Sequence, residues 1–463
     1  MTTRPASPAT GSRPPSAAPA AAGPPEPPSA GTDRLPRGVA HMLVPAAAGL
    51  FGGRAPVRVR AWDGSEAGPE DAVTVVLRDR AALRRVLARP DELGLARAYV
   101  SGEIDVEGDL TDALARVFAD LRDRGPFRPR PAALARAAHT ALVLGAVGAP
   151  PPPPAAEARL SGRRHSRRRD ADAVSHHYDA GNELYRMLLD PSMAYSCAYW
   201  SDACVRTLDQ AQNAKLDLVC RKLALRPGAR LLDLGCGWGS LALHAAEHHG
   251  ARVTALTLSA EQAGYVRARV AERGLHELVE VREDHYRDFD GEGFDAVAVI
   301  EMGEHVGRRE YRAFAGRLRA LLAPHGRLLV QQMSRRGRRP GGGPFIETYI
   351  APDMHMRPVG RTVERLERAG LEVRDVHALR EHYVRTARAW AAELERRWDE
   401  VAALMGAETA RVWRLYLAGG ALAFEEGRMG VDQILAVRRD PAGRGGAKAP
   451  LDGAAAGGAE RVR

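Results

Sequence analysis

A short apolar run that leads into a glycine-rich turn is the clearest hydrophobic pattern in the chain. Arg230–Leu234 has the length and composition of a buried parallel strand, and residues 238–249 carry apolar positions at helical spacing. Between them, Gly235, Gly237 and Gly239 let the backbone turn sharply and approach a ligand, with helix N–H groups directed at it. The turn lacks the Gly-Lys-Ser/Thr of a phosphate loop, which disfavours a triphosphate. It predicts a site for a nucleotide-like ligand, and a plain strand-to-helix connection is the alternative.

Strand-like and helix-like patterns then alternate through the middle of the chain. Further strands are predicted at residues 252–258, 278–282, 294–300 and 326–333, with helices after the N-cap residue Ser259 and at 311–322. This alternation predicts an α/β fold with a mainly parallel sheet that helices cover on both faces. Because ligands bind beyond the carboxyl ends of such strands, the tips of the first, second, fourth and fifth strands should converge on one crevice.

Two amphipathic helices with aromatic stripes are predicted towards the C-terminus, at residues 386–406 and 411–427. They carry Trp390, Trp398 and Trp413. Aromatic residues at helical spacing either pack in a core or wall an apolar channel for a lipid, and both interpretations stay open. A closing strand is predicted after them, at residues 434–438.

Composition and charge narrow the class of protein. The chain has 463 residues, of which 45% are hydrophobic and 27% charged, and no run approaches the ~20 apolar residues of a membrane span. The net charge of +9 fits an anionic partner, either a phospholipid surface or nucleic acid, or else a solvated arginine-rich surface. No nucleic-acid-binding motif accompanies the charge, so a nucleic-acid partner is not predicted. The four cysteines have neither paired metal-binding spacing nor a secreted context, and no metal site is predicted.

Shifts in composition divide the chain into five parts. Residues 1–36 are rich in Pro, Ala, Gly and Ser, without the apolar core of a signal peptide, and are predicted to be a disordered tail of a cytoplasmic protein. The other predicted parts are a small accessory α/β domain at 37–125, a Pro/Arg-rich linker at 126–169, a catalytic domain at 170–438 and a disordered tail at 439–463. The basic run at 163–169 is either solvated charge or an attraction to anionic headgroups, worth ~1 kcal/mol per residue.

Several motifs together resemble a known enzyme family. Residues 231–239 and the turn at 257–262 resemble S-adenosylmethionine-dependent methyltransferases of the Rossmann-like class. Further stretches resemble the cyclopropane-fatty-acyl-phospholipid synthases: His-His-Tyr-Asp-Ala-Gly-Asn at 176–182, Tyr-Ser-Cys-Ala-Tyr-Trp at 195–200, Glu-Met-Gly-Glu-His-Val-Gly at 301–307, His-Tyr-Val-Arg-Thr at 382–386, and residues 413–433. The similarity covers roughly residues 170–438 and implies a Rossmann-like class I methyltransferase fold. It extends more loosely to the accessory domain, for which it implies a part in lipid handling or dimerisation.

The resemblance also implies which residues bind S-adenosyl-L-methionine. It assigns contacts to a lid before residue 200, to the glycine-rich loop, to the tip of the second strand and to the tip of the third strand, where adenine would lie. These residues are Tyr195, Ser196, Asp233, Gly235, Cys236, Gly237, Gly239, Thr257, Leu258, Ser259, Gln262, Tyr286 and Arg287.

The implied reaction is C1 transfer to the cis double bond of an unsaturated phospholipid acyl chain. Methyl transfer leaves a carbocation, which needs aromatic or dipolar stabilisation and a base that removes a proton. Proton loss from the new methyl closes a cyclopropane ring, whereas a prior hydride shift gives a methylene branch that a partner reductase would convert to a methyl branch. The expected location is cytoplasmic and peripheral to the inner membrane surface, and a homodimer is a further expectation. A catalytically idle lipid-binding protein is the alternative from another class.

The catalytic group implied by the resemblance is a bound bicarbonate that acts as the base. In the family it is held by a glutamate, a histidine, a tyrosine and backbone groups, which match Glu304, Tyr383 and the backbone of Cys197, with His305 beside the glutamate. The histidine position instead holds Gln331, which can donate a hydrogen bond to an anion but cannot titrate, so bicarbonate is only one alternative. Gln-Gln-Met-Ser at 331–334, the Glu-Met-Gly-Glu-His variant at 301–305 and residues 345–356 together resemble an actinobacterial branch associated with methylene or methyl branching of the tuberculostearic type. A structural turn at 304–305 and a core position for Tyr383 are the competing interpretations.

Overall fold

The computed structural model describes residues 38–157, 169, 181–201, 204–337 and 341–445. The predicted tails, apart from residues 439–445, lie outside the described residues, as do residues 176–180 of the motif at 176–182 and the basic run up to residue 168. Among the helices so described, none combines the length and the apolar character that crossing a bilayer requires.

An N-terminal unit is built on a four-stranded sheet of order β2-β1-β3-β4. Its strands are β1 (Arg58–Arg60), β2 (Glu66–Ala67), β3 (Thr74–Leu77) and β4 (Ile104–Val106), and its helices are α1 (Val39–Leu50), α2 (Ala81–Ala88), α3 (Glu92–Val100) and α4 (Leu110–Arg124). The next helix, α5 (Pro131–Val143), lies in the segment predicted as a linker. Leu144, directly after it, is fully buried in one cluster with Val39 and Ala40 of α1. The small apolar side chains of α5 give it a packing face, so this part of the segment joins the unit instead of extending from it.

A larger unit is built on a seven-stranded sheet of order β10-β11-β9-β8-β5-β6-β7. Its strands are β5 (Arg230–Leu234), β6 (Arg252–Thr257), β7 (Val279–Glu283), β8 (Phe294–Ile300), β9 (Leu322–Arg335), β10 (Leu371–Ala378) and β11 (Met429–Arg438). The first five of these pair in parallel, and β10 and β11 are antiparallel to their neighbours. The predicted α/β fold with a mainly parallel sheet is confirmed.

Helices cover both faces of this sheet. They are α6 (Gly181–Leu188), α7 (Leu208–Lys222), α8 (Ser240–His249), α9 (Ala260–Glu272), α10 (Tyr311–Leu321), α11 (Pro344–Tyr349), α12 (Val359–Arg368), α13 (Arg380–Arg396), α14 (Trp398–Met405) and α15 (Ala407–Glu425). Neighbouring strand residues enter different cores: Leu231 lies in one apolar cluster and Leu232 in the other. Side chains alternate across a strand, so each face of the sheet has its own core.

Several elements differ from their predicted bounds. The helix predicted at 386–406 is two helices, α13 and α14, and α13 begins six residues earlier, at Arg380. Strand β11 begins at Met429 and not at residue 434. Strand β10 was not predicted, because it lies at the edge of the sheet and only Leu371 among its residues is buried. An edge strand of mixed polarity lacks the apolar run that marks a central strand.

The N-terminal unit rests on helices α11 and α15 of the larger unit. Helix α3 forms part of the contact surface, together with Leu110 of α4, which clusters with Ala418 of α15. The buried apolar residues of α3 cluster with those of the larger unit: Leu93, Ala96, Val100, Phe345, Tyr349, Ile350 and Val412. The guanidinium of Arg411 lies 4.1 Å from the centre of the Tyr99 ring and donates a hydrogen bond to the Ile104 carbonyl at 2.7 Å. Helix α15 therefore touches the N-terminal unit directly.

Candidate active site

The glycine-rich loop between β5 and α8 is held in a left-handed conformation. Gly235, Gly237 and Gly239 have φ angles of 84°, 54° and 82°. The N–H groups of Gly235 and Cys236 both donate to the Leu256 carbonyl at 2.9 Å, which fastens the loop to β6. A Cβ atom added to Gly239 would lie 2.9 Å from a methyl carbon of Val266, so the loop approaches α9 closely. The sequence requires glycine here for both conformation and space.

A cavity of about 170 Å³ lies beyond the carboxyl ends of the parallel strands. It brings together most of the residues predicted to bind the cofactor: Tyr195, Ser196, Asp233, Gly235, Cys236, Gly237, Thr257, Leu258, Gln262, Tyr286 and Arg287. His305 lines it as well. Gly239 and Ser259 do not line the cavity, and each lies at the start of a helix behind its wall. Gly239 precedes the first residue of α8, and the Ser259 hydroxyl caps α9 by accepting from the Gln262 N–H.

Two residues of the cavity wall, Asp233 and Gln262, each have a buried polar atom that makes no hydrogen bond to the described residues. The Asp233 Oδ2 and Gln262 Nε2 atoms have no hydrogen-bond partner among the described residues, although both side chains are buried. The Gln262 amide is oriented by Thr257, whose hydroxyl donates to its Oε1 at 2.8 Å. Burial raises the pKa of Asp233 to about 7, and the charge of Lys215 opposes this rise. An acceptor on β5 and a donor on α9, both beside the glycine loop in one cavity, fit a ligand such as S-adenosylmethionine, which carries both kinds of group.

The segment at residues 193–201 closes one side of this cavity. The buried Gln212 amide donates to the carbonyls of Ala194 and Ser196 at 3.0 and 2.9 Å, and the Lys215 ammonium donates to the Ser196 hydroxyl at 3.0 Å. Burial lowers the pKa of Lys215, while the neighbouring carboxylates oppose this. The sequence did not single out Lys215, because a lysine in an amphipathic helix usually faces solvent.

Aromatic side chains form the apolar wall around this segment. The Tyr185 ring lies 4.3 Å from that of Trp238, and the Tyr195 ring 5.2 Å from that of Trp390, measured between ring centres. Trp390 and Trp413 are buried in the same apolar cluster, so the core interpretation holds for these side chains. Because that cluster also contains Tyr195, which lines the cavity, the helices α13 and α15 carry apolar surface up to the predicted cofactor site.

Glu301, which lies within a family motif but was not predicted as a site residue, is the centre of a polar cluster. It directly follows β8, lines the cavity, and is partly accessible there. Its Oε1 accepts hydrogen bonds from the Cys197 N–H and the Gln331 amide, both at 2.8 Å, and its Oε2 accepts one from the Tyr383 hydroxyl at 2.7 Å. Burial raises the pKa of Glu301, and these three donors oppose that rise. Its place at a strand tip was the available signal, since strand tips converge on the ligand.

The predicted catalytic residues are therefore grouped differently from the expectation. Cys197, Gln331 and Tyr383 do come together, and all three donate hydrogen bonds to the Glu301 carboxylate. Glu304 points elsewhere: its Oε1 accepts from the Met333 N–H at 2.6 Å. The Cys197 side chain stays a thiol, because burial raises its pKa well above the usual range, and its contribution to the cluster is its backbone N–H.

Glu304 is a fully buried carboxyl group whose Oε2 has no hydrogen-bond partner within the described part of the chain. Burial, and after it the charge of Glu301, raises the pKa of Glu304 from 4.5 to about 8. Between these values the unfolded state loses its proton while the folded state keeps it, so this group lowers the stability of the fold as pH rises.

Replacing Glu304→Gln should remove this pH-dependent loss. The glutamine carbonyl can still accept from the Met333 N–H, so the free energy of unfolding should match the wild type near pH ~5 and exceed it by up to a few kcal/mol near pH ~8.5. Denaturant titrations at both pH values measure the difference. Glu277→Gln, at an exposed position, is the control, and its free energy of unfolding should match that of the wild type at both pH values. An equal effect of Glu304→Gln on the free energy of unfolding at both pH values would contradict the raised pKa of Glu304.

Comparisons with known proteins agree with this geometry. A family model described as mycolic acid cyclopropane synthetase matches residues 165–434. A Mycobacterium tuberculosis protein named "probable fatty acid methyltransferase" is 39% identical over 404 residues, which is 84% of this chain and 93% of that protein. A tuberculostearic acid methyltransferase of the same organism is 29% identical over 400 residues, or 83% of this chain and 88% of that protein.

Solved structures of related proteins have a similar fold. The crystal structure of a mycolic acid cyclopropane synthase complexed with SAH and CTAB has a TM-score of 0.55 and 33% identity, and it covers 58% of this chain and 98% of that one. Because the family model spans more than half of the chain and includes the glycine loop, the cavity and Glu301, the chain belongs to the mycolic acid cyclopropane synthetase family and is an S-adenosylmethionine-dependent methyltransferase.

Proposed function

We propose that the protein transfers a methyl group from S-adenosylmethionine to the cis double bond of an unsaturated phospholipid acyl chain and closes a cyclopropane ring by removing a proton. The observation that carries this proposal is one cavity that joins a cofactor loop, a buried polar cluster and an aromatic wall. An alkene is a weak nucleophile, so its attack requires close positioning in a site that excludes water. The family membership and the fatty acid methyltransferase relative support this choice of acceptor.

The residues for the cofactor are those whose polar groups line the cavity. The loop at Gly235 and Gly237 lets the backbone approach the ligand, the carboxyl of Asp233 accepts, and the amide of Gln262 donates. Tyr286, which lines the cavity, offers a ring on which the adenine can stack. When bound, S-adenosylmethionine supplies an electrophilic methyl group.

The chain's own side chains then shape the environment of the acceptor. A carbocation is stabilised by the faces of aromatic rings, and Tyr195 presents one at the cavity, backed by Trp390. Its orientation is fixed, since the Tyr195 hydroxyl lies 3.0 Å from that of Tyr416 on α15. A rigid aromatic surface excludes water, which would otherwise trap the cation as an alcohol.

A second candidate product is a methylene-branched acyl chain, which a partner reductase would convert to a methyl branch. Gln331, where the cyclopropane synthases carry a histidine, and the similarity to the tuberculostearic acid methyltransferase favour this candidate. Both products arise from one carbocation, and a hydride shift before proton loss separates them.

Turnover on vesicles tests the proposal. Purified protein, S-adenosylmethionine with an isotopically labelled methyl, and vesicles of dioleoyl phosphatidylglycerol should give labelled acyl chains by mass spectrometry. Distearoyl phosphatidylglycerol, which lacks the double bond, is the matched control and should stay unlabelled.

Derivatisation of double bonds then separates the two products. A labelled chain that no longer reacts as an alkene is a cyclopropane, whereas one that reacts as an exocyclic alkene is the methylene branch. Protein that binds S-adenosylmethionine but labels neither lipid would rule out both candidates and favour another acceptor.

A further inference from the structure

We infer that the Glu301 carboxylate is the catalytic base that takes the proton from the acyl carbocation, and that it occupies the place of a free anion, so that turnover needs no bicarbonate. This inference rests on the proposed function. It is carried by the position of Glu301, by its hydrogen-bond donors and by the identity of residue 331.

The backbone at Glu301 is in a conformation that glutamate rarely adopts. Its φ is 52°, in the left-handed region, while its N–H donates to the Gln331 carbonyl at 2.7 Å and so continues the contact between β8 and β9. Such a conformation costs ~1–3 kcal/mol and persists where surrounding structure imposes it, most often at functional sites. Here it accompanies a side chain that lines the cavity beside Met302 and the glycine loop.

The donors around Glu301 hold a carboxylate and leave it able to react. An ionised carboxylate has about four lone-pair positions. Cys197 and Gln331 occupy two at Oε1, and Tyr383 occupies one at Oε2. One position at Oε2 therefore has no donor among these contacts, in a group that is partly accessible from the cavity. That position can receive a proton.

The same donors cannot also hold a second anion in the same place. The Cys197 N–H, the Tyr383 hydroxyl and the Gln331 amide, which stands where the family carries a histidine, occupy three of the four positions that the resemblance assigns to bicarbonate. All three donate to Glu301. A bicarbonate ion here would lose them and would lie against a carboxylate of like charge. The side chain thus supplies the negative charge that the free ion would bring.

Residue 331 is suited to this arrangement. The Nε2 of Gln331 donates to Glu301, and the side-chain Oε1 of Gln331 accepts from the Gln433 amide at 2.9 Å. Contacts on both sides therefore define the orientation of the Gln331 side chain. A neutral donor stabilises a carboxylate without competing for the proton that the carboxylate must take. The glutamate at 301 and the glutamine at 331 therefore act as a pair, and Gln433 is a positioning residue behind them.

The chemical step balances with Glu301 as the acceptor. The alkene electron pair forms a bond to the methyl carbon, the carbon–sulfur bond breaks, and its electrons stay on sulfur as a neutral thioether. The cation formed on the neighbouring acyl carbon is discharged when a C–H bond of the new methyl breaks. Its electrons close the ring, and the proton moves to Oε2 of Glu301. After a hydride shift, the same proton transfer gives the methylene branch.

Two variants and one buffer condition test the inference. Wild-type turnover on dioleoyl phosphatidylglycerol vesicles should be equal in buffer freed of carbon dioxide and in buffer with added bicarbonate. Glu301→Gln should lower turnover by ~10²-fold or more, because an amide can neither take the proton nor carry the negative charge. Its affinity for S-adenosylmethionine should stay near that of the wild type, because the groups predicted to bind the cofactor are unchanged. Glu301→Gly opens the anion position, and its low turnover should rise when bicarbonate or formate is added.

The possible outcomes are distinguishable. A wild-type enzyme that loses turnover without bicarbonate, or a Glu301→Gln variant with near wild-type turnover, would overturn the inference while leaving the proposed function intact. A wild type that never methylates the lipid would instead defeat the proposed function. Thermal melts and cofactor binding check that each variant is folded, and the bicarbonate test on the wild type stands even if a variant is not. Glu277→Gln, on the surface, is the control substitution.

Discussion

Gly239→Ala should weaken S-adenosylmethionine binding by roughly 30-fold or more, equivalent to ~2 kcal/mol. The added Cβ would lie 2.9 and 3.0 Å from the two methyl carbons of Val266, closer than such atoms approach, and the φ of 82° already disfavours any side chain. The loop must then shift, and with it the N–H groups at the start of α8 that face the ligand. Isothermal titration calorimetry measures the affinity directly.

Gly274→Ala is the matched control for this substitution. Gly274 has a φ of 65°, so alanine there suffers a similar conformational cost, but its Cβ would meet nothing within 4 Å. It should lower the melting temperature modestly and leave cofactor affinity unchanged. Equal affinities for both variants would show that the loop tolerates displacement and that its close approach to Val266 does not matter for binding.

Tyr383→Phe should lower turnover by ~10²-fold without changing cofactor affinity. The substitution removes the donor that lies 2.7 Å from the Glu301 Oε2, so the carboxylate loses both orientation and stabilisation of its charge. A donor to a carboxylate lowers its pKa, and its removal raises it. Since the base must be ionised, the rise of activity with pH should move to higher pH. Steady-state rates across a pH series measure both effects.

Other titratable groups near Glu301 could also affect how activity depends on pH. The charge of Lys215 acts on Glu301, and Glu304 joins it only where the pH exceeds the Glu304 pKa of about 8. Cys197 stays neutral because burial raises its pKa well above the usual range. Tyr349→Phe is the control, because it removes a tyrosine–carboxylate hydrogen bond of 2.9 Å, to Glu157, away from the cavity. A profile of Tyr383→Phe identical in position to the wild type would contradict a role for Glu301 as the base.

The sheet and the cofactor loop were predictable because their causes are local. A strand, a glycine turn and a helix follow one another between residues 230 and 249, and each pattern predicts its own element. The rule that ligands lie beyond the carboxyl strand ends then places Asp233 and Thr257 at one cavity, where the structure has them. Strand β10 escaped prediction since its pattern reflects an exposed edge.

The grouping around Glu301 was not predictable, because its causes are distant in sequence. Its donors come from residues that are 104, 30 and 82 positions away, and the side chain reaches them only because the backbone turns to positive φ after β8. Motif matching directed attention to Glu304, which is the neighbouring carboxylate. The local sequence around 301–307 cannot say which of two glutamates three residues apart faces the cavity.

The number of residues in strand β11 determines on which face of the sheet Gln433 lies. Gln433 lies directly opposite Gln331 in the pairing of β11 with β9, and its amide supports the glutamine that in turn supports Glu301. Inserting or deleting one residue within β11 before this position would turn Gln433 to the other face of the sheet, whereas a change of two would keep its face. Loops on either side of β11 can vary in length without this effect. In this enzyme, whether the number of residues in β11 before Gln433 is odd or even helps to decide whether the base is correctly held.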